Sequence, residues 1–388
     1  MNDIDYMKRA IELAEKGRGF TNPNPMVGAV IVKDGRIIGE GYHQKYGQPH
    51  AERNAIGACT QSPQGASIYV TLEPCCHYGK TPPCTEAILE AGITRVVIGS
   101  RDPNPKVAGK GAAILREAKI QVEMDFMKTE CDALNPVFFH YIRQRTPYVV
   151  MKYAMTADGK IATYTGDSQW ITGKKAREHV HQLRHAYSGI MTGIGTVLAD
   201  DPLLTCRLKE GNSPVRIICD SKLNIPLDSR LVKSAKRVPV IIATAVSRKE
   251  KERALRYAGV QVLHVPDEVN STEGGREGAL GYREERVDLK QLMIQLGDMG
   301  IDSILLEGGE TLNASALEAG IVRKCCVYIG AKMFGGVQAK GPVGGQGAAI
   351  VSEAVSFCEP VVTSFGKDIL LEYAIENERE DEGCSQEL

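Results

Sequence analysis

The chain has 388 residues, 43% hydrophobic and 24% charged, with a formal net charge of −1. That length exceeds one ordinary core, so two domains are expected, and the composition is that of a soluble globular protein. The near-zero charge excludes a general attraction to nucleic acid, and no apolar run approaches the ~18 residues that a membrane span needs.

Eleven cysteines, an odd number over a long chain, fit a reducing cytosol in which some thiolates hold metal, not a disulfide framework. In chain order, Ile4, Met7, Ala10, Ile11 and Ala14 have helical spacing over 4–16, and Gly17 stops the helix. The segment is charged and lacks the apolar centre of a signal peptide. Next come "MVGAVIV" and "RIIGEGYH", joined by Asp34-Gly35, which predicts a hairpin. A helix from about His50, a strand over 67–73, a helix after Cys84, a strand over 95–100, a helix in "GKGAAILREA" and a strand in "IQVEM" follow. This order predicts a mixed sheet with helices on both faces, and ligands outside the carboxyl ends of its strands. A helix over 129–143 and then Thr146-Pro147 mark a boundary that divides the chain into 1–145 and 146–388. Beyond it, Val- and Ile-rich strands are predicted at 148–155, 189–195, 215–220, 238–244, 260–265, 303–309 and 324–331, forming a second, largely buried sheet. The Gly-rich stretch 270–286 reads as a surface loop and 377–388 as a frayed tail.

The densest chemistry lies in "TLEPCCHYGKTPPCTEA", residues 71–87, with "HAERNAI" upstream at 50–56. Zinc takes thiolate and imidazole ligands tetrahedrally, and a catalytic site leaves a fourth position for water. His50 opens a helix, Cys75 ends a strand, and Cys84 starts the next helix, where the positive dipole end favours a thiolate. Glu52, two residues after His50, suits a general acid and base at such a water. The set follows the H-x-E…P-C-x-x-C pattern of zinc deaminases, including Pro74 before Cys75. Here eight residues separate the two cysteines, so Cys76 and His77 compete with Cys84 as ligands. Adjacent residues at a strand end point in opposite directions, which favours Cys84. The competing readings are a structural zinc site completed by Cys76 or His77, a set of inert buried thiols, and a zinc-stabilised binding protein. Glu52 speaks against the last two, and the first needs a fourth protein ligand. A nucleic-acid base deaminase would share the zinc pattern, but seven phenylalanines, one tryptophan and no basic excess do not suit it.

"TNPNPMVGAVIV", "HAE", "VTLEPCCHYGKTPPC" and "RDPNPKVAGKG" closely resemble the deaminase half of the bacterial bifunctional riboflavin-biosynthesis deaminase/reductases. "KYAMTADGKIAT", "GDSQWITG", "GIGTVLADDPLLT" and "EGGETLNAS" resemble the reductase half, and the likeness covers about residues 3–375. The long interval between the two cysteines is itself typical of that family. The resemblance implies an α/β protein: a cytidine-deaminase-like three-layer αβα domain followed by a dihydrofolate-reductase-like α/β domain. It implies hydrolytic deamination of 2,5-diamino-6-ribosylamino-4(3H)-pyrimidinone 5′-phosphate, then NADPH-dependent reduction of the ribosyl side chain. One zinc ion would be held by His50, Cys75 and Cys84, with Glu52 as the catalytic proton shuttle. Asn24, His43, Lys80, Asp102 and Asn104 would line the deaminase pocket. Ala154, Trp170, Thr196, Asp200, Ser221 and the run Gly309, Glu310, Thr311, Leu312, Asn313, Ala314 and Ser315 would contact NADPH. Ser168, Arg184, Leu204, Arg207 and Glu307 would contact the substrate.

Several of these positions can also be argued from their own chemistry. Lys80 suits a phosphate or a polarised carbonyl. "GIGTVL" supplies Gly193 and Gly195 but has Leu198 where a third glycine belongs, so it is no Rossmann fingerprint. Gly308 and Gly309, between a strand and a helix, would let backbone N–H groups approach a pyrophosphate. Arg184 and Arg207 suit a bidentate fork for a 5′-phosphate. Trp170 is either core or a flat face for a nicotinamide. Lys152 and Asp200 are acid–base candidates by residue type alone. The expected protein is a cytoplasmic homo-oligomer, a dimer or tetramer, with a small pyrimidine ribotide as partner and neither nucleic acid nor membrane.

Overall fold

Asp34 and Gly35 both take positive φ, 50° and 71°, and so turn β1 (Gly28–Lys33) onto the antiparallel β2 (Arg36–Tyr42). The computed structural model describes residues 1–79, 81–104, 107–267 and 286–376. Lys80, the expected surface loop up to residue 285 and the expected tail therefore lie outside the described residues. The chain forms two compact units, Met1–Thr146 and Pro147–Leu388.

The first unit runs α1 (Asp3–Glu15), β1, β2, α2 (Ala51–Gly57), β3 (Ser67–Leu72), α3 (Cys84–Glu90), β4 (Arg95–Ser100), α4 (Lys110–Glu117), β5 (Gln121–Glu123), α5 (Lys128–Asp132) and α6 (Pro136–Gln144). A reciprocal cap starts α1: Asp5 N donates to Asn2 Oδ1 and Asn2 N to Asp5 Oδ2. Among the described residues the sheet order is β2-β1-β3-β4-β5, with β3, β4 and β5 parallel. Strand alternation assigns the two faces. Ala29, Ile31, Ile68, Val70, Val96 and Ile98 pack under α2, α3 and α4, while Val30, Val32, Tyr69 and Val97 meet Tyr6, Met7, Ala10 and Leu13 of α1. The expected single helix over 129–143 is two, α5 and α6, because Pro136 lacks an N–H and disfavours a helical residue before it. Asn135, at the break, exchanges side-chain hydrogen bonds with the backbone of Met26, at 2.8 and 2.9 Å.

The second unit runs β6 (Tyr148–Thr156), α7 (Lys174–Ala186), β7 (Gly189–Gly193), α8 (Ile194–Asp200), β8 (Val215–Cys219), α9 (Arg230–Lys233), β9 (Val240–Thr244), α10 (Lys249–Tyr257), β10 (Val260–His264), α11 (Leu289–Asp298), β11 (Ser303–Leu306), α12 (Glu310–Glu318), β12 (Val322–Gly330), β13 (Val361–Phe365) and β14 (Asp368–Ala374). Its described sheet has the order β10-β9-β8-β7-β11-β6-β12-β14-β13, parallel from β10 through β12. Met151, Ile304 and Leu306 face α11 and α12, whereas Val150, Leu305 and Tyr328 face α7. Two sequence expectations need correction. The strand placed at 189–195 ends at Gly193, where α8 begins, and the antiparallel hairpin β13–β14 was not foreseen. Gly366, at φ 76°, turns that hairpin.

The helix that carries His50 and Glu52 lies directly on β2. A Cβ on Gly41 would sit 2.3 Å from Ala55 N and 2.5 Å from Ala51 O, both backbone atoms of α2. Gly41→Ala therefore forces α2 off the sheet, and overpacking of this kind costs about 1–3 kcal/mol. Denaturant unfolding of the full chain should show the N-terminal unit's transition at lower denaturant by that amount. An unchanged transition would mean that α2 yields without loss.

Candidate active sites

His50 is the N-cap of α2 and has extended backbone, φ −76° and ψ 169°. Cys75 follows β3, and Cys84 opens α3. Two backbone bonds, from Cys84 N and Thr85 N to Cys75 O at 3.1 and 3.2 Å, pin the ends of the intervening loop together. Arg53 of α2 holds the carbonyls of Pro82 and Pro83 at 3.2 and 2.9 Å. His50 Nδ1 thereby comes within 3.5 Å of Cys75 Sγ and 3.4 Å of Cys84 Sγ. The donors of these three residues all lie within 4.8 Å of one another, a set that neither Cys76 nor His77 joins.

The two thiols shift in opposite directions. The hydrogen bond from Cys84, with help from His50, holds the Cys75 thiol down at about 4 against its burial. Cys84 is pushed well up by the same bond and by burial. His50 is raised by its bond to Cys75. Glu52 is 3% exposed, and burial, reinforced by the Cys75 charge, raises its carboxyl. This is a soft S₂N donor set beside a carboxyl that can carry a proton.

Asn24, His43, Asp102 and Asn104 line the same cavity as His50, Glu52 and Cys75, with a volume of about 250 Å³. His43 Nδ1 is 3.2 Å from Pro49 O and so carries the proton, leaving Nε2 to accept from Asn24 Nδ2 at 3.3 Å. Burial lowers the His43 pKa, which keeps the ring neutral. Burial also pushes the Asp102 carboxyl up to about 6, even though it accepts from Asn104 N at 2.8 Å. Sequence reasoning missed Glu73, which accepts from Gly109 N at 3.0 Å and Ala112 N at 3.1 Å and so fixes the start of α4. A Cβ on Gly111 would lie 2.2 Å from Pro74 O, so α4 presses on the segment that carries Cys75.

In the second unit, a cavity of about 630 Å³ runs along the carboxyl ends of the parallel strands. Ser168, Thr196, Asp200, Ser221, Gly309, Glu310, Thr311, Leu312 and Ser315 line it. Ala154, Asn313 and Ala314 do not; the last two lie on the buried side of α12, and Asn313 Nδ2 donates to Pro342 O. Trp170 is not core, being 56% exposed. Its ring lies 4.5 Å from the Arg177 guanidinium in a separate groove with Lys174, Lys332 and Lys367.

Arg184 is engaged by a carboxylate. Its fork grips Glu307, with Nε on Oε1 at 2.8 Å and Nη2 on Oε2 at 3.0 Å, while Nη1 donates to Thr205 O. Lys152 Nζ is 3.5 Å from the same carboxylate. Burial would raise the Glu307 carboxyl, but Arg184 and Lys152 outweigh it and hold it at about 2. The fork expected for a phosphate is thus occupied by a carboxylate, and Arg207 is the exposed arginine of the two. Leu204 is buried at φ 53°. The fully buried Arg216, another residue the sequence did not single out, holds the preceding carbonyl of Leu203 at 3.3 Å.

Residues 1–100 match the family described as the cytidine and deoxycytidylate deaminase zinc-binding region, and 147–371 match the RibD C-terminal domain. The riboflavin biosynthesis protein RibD of Actinobacillus pleuropneumoniae is 53% identical over 375 residues, covering 97% of this chain and 96% of the relative. The solved structure of Acinetobacter baumannii RibD superposes with a TM-score of 0.83 at 35% identity, covering 96% of this chain and 98% of that one. A diaminohydroxyphosphoribosylaminopyrimidine deaminase/5-amino-6-(5-phosphoribosylamino)uracil reductase from Thermotoga maritima gives 0.80 at 38% identity, with the same coverage. Matched in both halves and along nearly its whole length, the chain belongs to the RibD family, the bifunctional deaminase/reductases of riboflavin biosynthesis.

Proposed function

We propose that the two units perform successive steps on one pyrimidine ribotide, those named for the Thermotoga maritima protein. The first deaminates 2,5-diamino-6-ribosylamino-4(3H)-pyrimidinone 5′-phosphate. The second reduces the ribosyl side chain with NADPH to give 5-amino-6-(5-phosphoribitylamino)uracil. The observation that carries the first step is the convergence of His50, Cys75 and Cys84 beside the buried Glu52 in one cavity.

One imidazole and two thiols at this spacing fit zinc, which prefers such soft ligands in a tetrahedron with a place left for water. Zinc, when bound, supplies a water whose pKa falls from ~15.7 toward ~7. Glu52 then does the proton work. Its carboxylate would carry two protons in turn, one to the ring nitrogen and a second to the departing amine, each taken from the attacking water, and burial keeps it basic enough for both. Asn24, the neutral His43, Asp102 and Asn104 orient the ring by hydrogen bonds.

In the second unit, the uncapped first turn of α12 after Gly309 suits the pyrophosphate of NADPH, with Thr196, Asp200 and Ser221 along the same cavity. NADPH supplies the hydride, and the protein supplies orientation. Glu307, fixed as an anion between Arg184 and Lys152, accepts from sugar hydroxyls, and the exposed Arg207 meets the 5′-phosphate. Ser168, on the same cavity wall, and Leu204 complete the substrate side, whereas Ala154 and Trp170 lie outside this cavity. We also infer a homo-oligomer, because edge strand β13 exposes Val361 and Val362 at 64% and 60%, a surface that a second copy would cover. A site that depends on reduced thiols suits the cytoplasm. Among the described residues, no helix is long and apolar enough to cross a membrane.

Glu52→Gln should keep stoichiometric zinc and lose at least ~10²-fold in deamination rate. Reduction of separately supplied deaminated intermediate should be unaffected. Near-normal ammonia release would refute the proton role. Cys84→Ser should lose both zinc and deamination while Cys76→Ser keeps them, and full zinc in the Cys84 variant by metal analysis would sink the ligand assignment. Expressed separately, fragments 1–145 and 146–388 should each carry one half-reaction, and the second should sediment as a dimer or larger. A folded, zinc-loaded first fragment unable to deaminate, or a monomeric second fragment, would count against this division.

A further inference from the structure

We propose that Tyr328 is a positioning residue of the reductase centre, its ring face holding the Lys152 ammonium in place beside Glu307. The inference rests on the reductase reading above. Lys152 on β6 and Arg184 on α7 share the one carboxylate of Glu307. Arg184 takes both oxygens, whereas Lys152 Nζ stands 3.5 Å from Oε2, the outer limit of a hydrogen bond. The Lys152 and Arg184 side chains are only 13% and 15% exposed, so two desolvated cations face a single anion. His181 adds no anion, since burial, Arg184 and Arg207 lower its pKa and keep the ring neutral. A buried ammonium so weakly held needs a second partner.

That partner is the Tyr328 ring, whose centroid lies 5.8 Å from Nζ, within the range of cation–π attraction. The parallel register of β12 on β6 sets Tyr328 opposite Ala154, two residues beyond Lys152 and on the same face. The ring is fully buried, and Phe365 stacks on it with centroids 6.4 Å apart and planes 29° apart. Its hydroxyl is 2.7 Å from His179 Nδ1. Burial raises the phenol and lowers the imidazole, so Tyr328 donates and the neutral His179 accepts. The bond to His179 fixes the ring, the ring fixes Lys152, and Lys152 helps to fix the anion that Glu307 offers to the sugar. Being fully buried, Tyr328 acts through Lys152 and not on the substrate itself.

The test compares the wild-type full chain with Tyr328→Phe, and with Tyr328→Phe chains whose phenyl ring carries one or three fluorines. Fluorine nearly keeps the ring's shape while draining the negative face that attracts a cation. The readouts are KM for the deaminated ribotide, KM for NADPH, and calorimetric affinity for the ribitylamino product in the absence of cofactor. Tyr328→Phe keeps the ring face but loses the bond to His179, and should raise the ribotide KM about twofold. Three fluorines should raise it about fivefold further and weaken product binding to match, with one fluorine in between. The NADPH KM and kcat should stay within about twofold throughout, which also shows that the unit is folded. A ring with a purely structural role would tolerate fluorine, so identical constants across the series would overturn the proposal. Equal rises in both KM values would do the same and leave the reductase reading standing. A wild-type chain that reduces no ribotide would overturn that reading and the positioning role with it.

Discussion

Backbone pressed against backbone is the constraint on which the first site depends. Its donors come from three separate elements, and two of them are located by contacts with no room for a side chain. Gly41 seats α2, and with it His50 and Glu52, on β2. Gly111 seats α4 against Pro74 O, while Glu73 ties the same turn to the strand end that continues into Cys75. Reactive groups work only when held within about 0.5 Å of their productive geometry. Helix-on-sheet packing through side chains alone would leave that tolerance to rotamers; direct contact removes the freedom.

Buried carboxyls shift in opposite directions in the two units, and their surroundings explain the difference. Glu52 and Asp102 sit in a cavity whose buried partners are thiols, imidazoles and amides, so burial raises both. Glu307 is equally enclosed, yet two cations hold it at about 2. A group meant to pass protons must change charge readily near neutral pH. One meant to fix a sugar beside a hydride donor must not. On the proposed mechanism the same side-chain type is a carrier in one unit and a fixed anion in the other, according to whether cations accompany its burial.

Features encoded over a few residues were legible in the sequence. The Asp34-Gly35 turn, the α1 periodicity and the His50-x-Glu52 spacing each depend on neighbours in the chain. Pro136 also announced the α5/α6 break, and the apolar periodicity around it masked that signal. What escaped were pairings that only folding creates. Glu307 and Arg184 are 123 positions apart, so the fork's true partner could not be read from either segment. Glu73 looks like any strand-end acid until Gly109 and Ala112 fold onto it. The β13–β14 hairpin was missed because its outward valines disguise the alternation that marks a half-buried strand.

The loop between Cys75 and Cys84 has a consequence for chain entropy. Its ends are tied by backbone bonds, so the distance between the two thiols does not depend on how much chain lies between them. Each doubling of a flexible loop adds only about 0.6 kcal/mol of closure cost, so going from two intervening residues to eight adds roughly 1.2 kcal/mol. That is about the net worth of a single hydrogen bond. The interval can therefore lengthen and change composition while the thiols stay where they are, and His77, Gly79 and Thr81 within it line the cavity wall. The cavity wall and the candidate metal donors are thus written in adjacent but separable stretches of chain, and one can diverge while the other is held fixed.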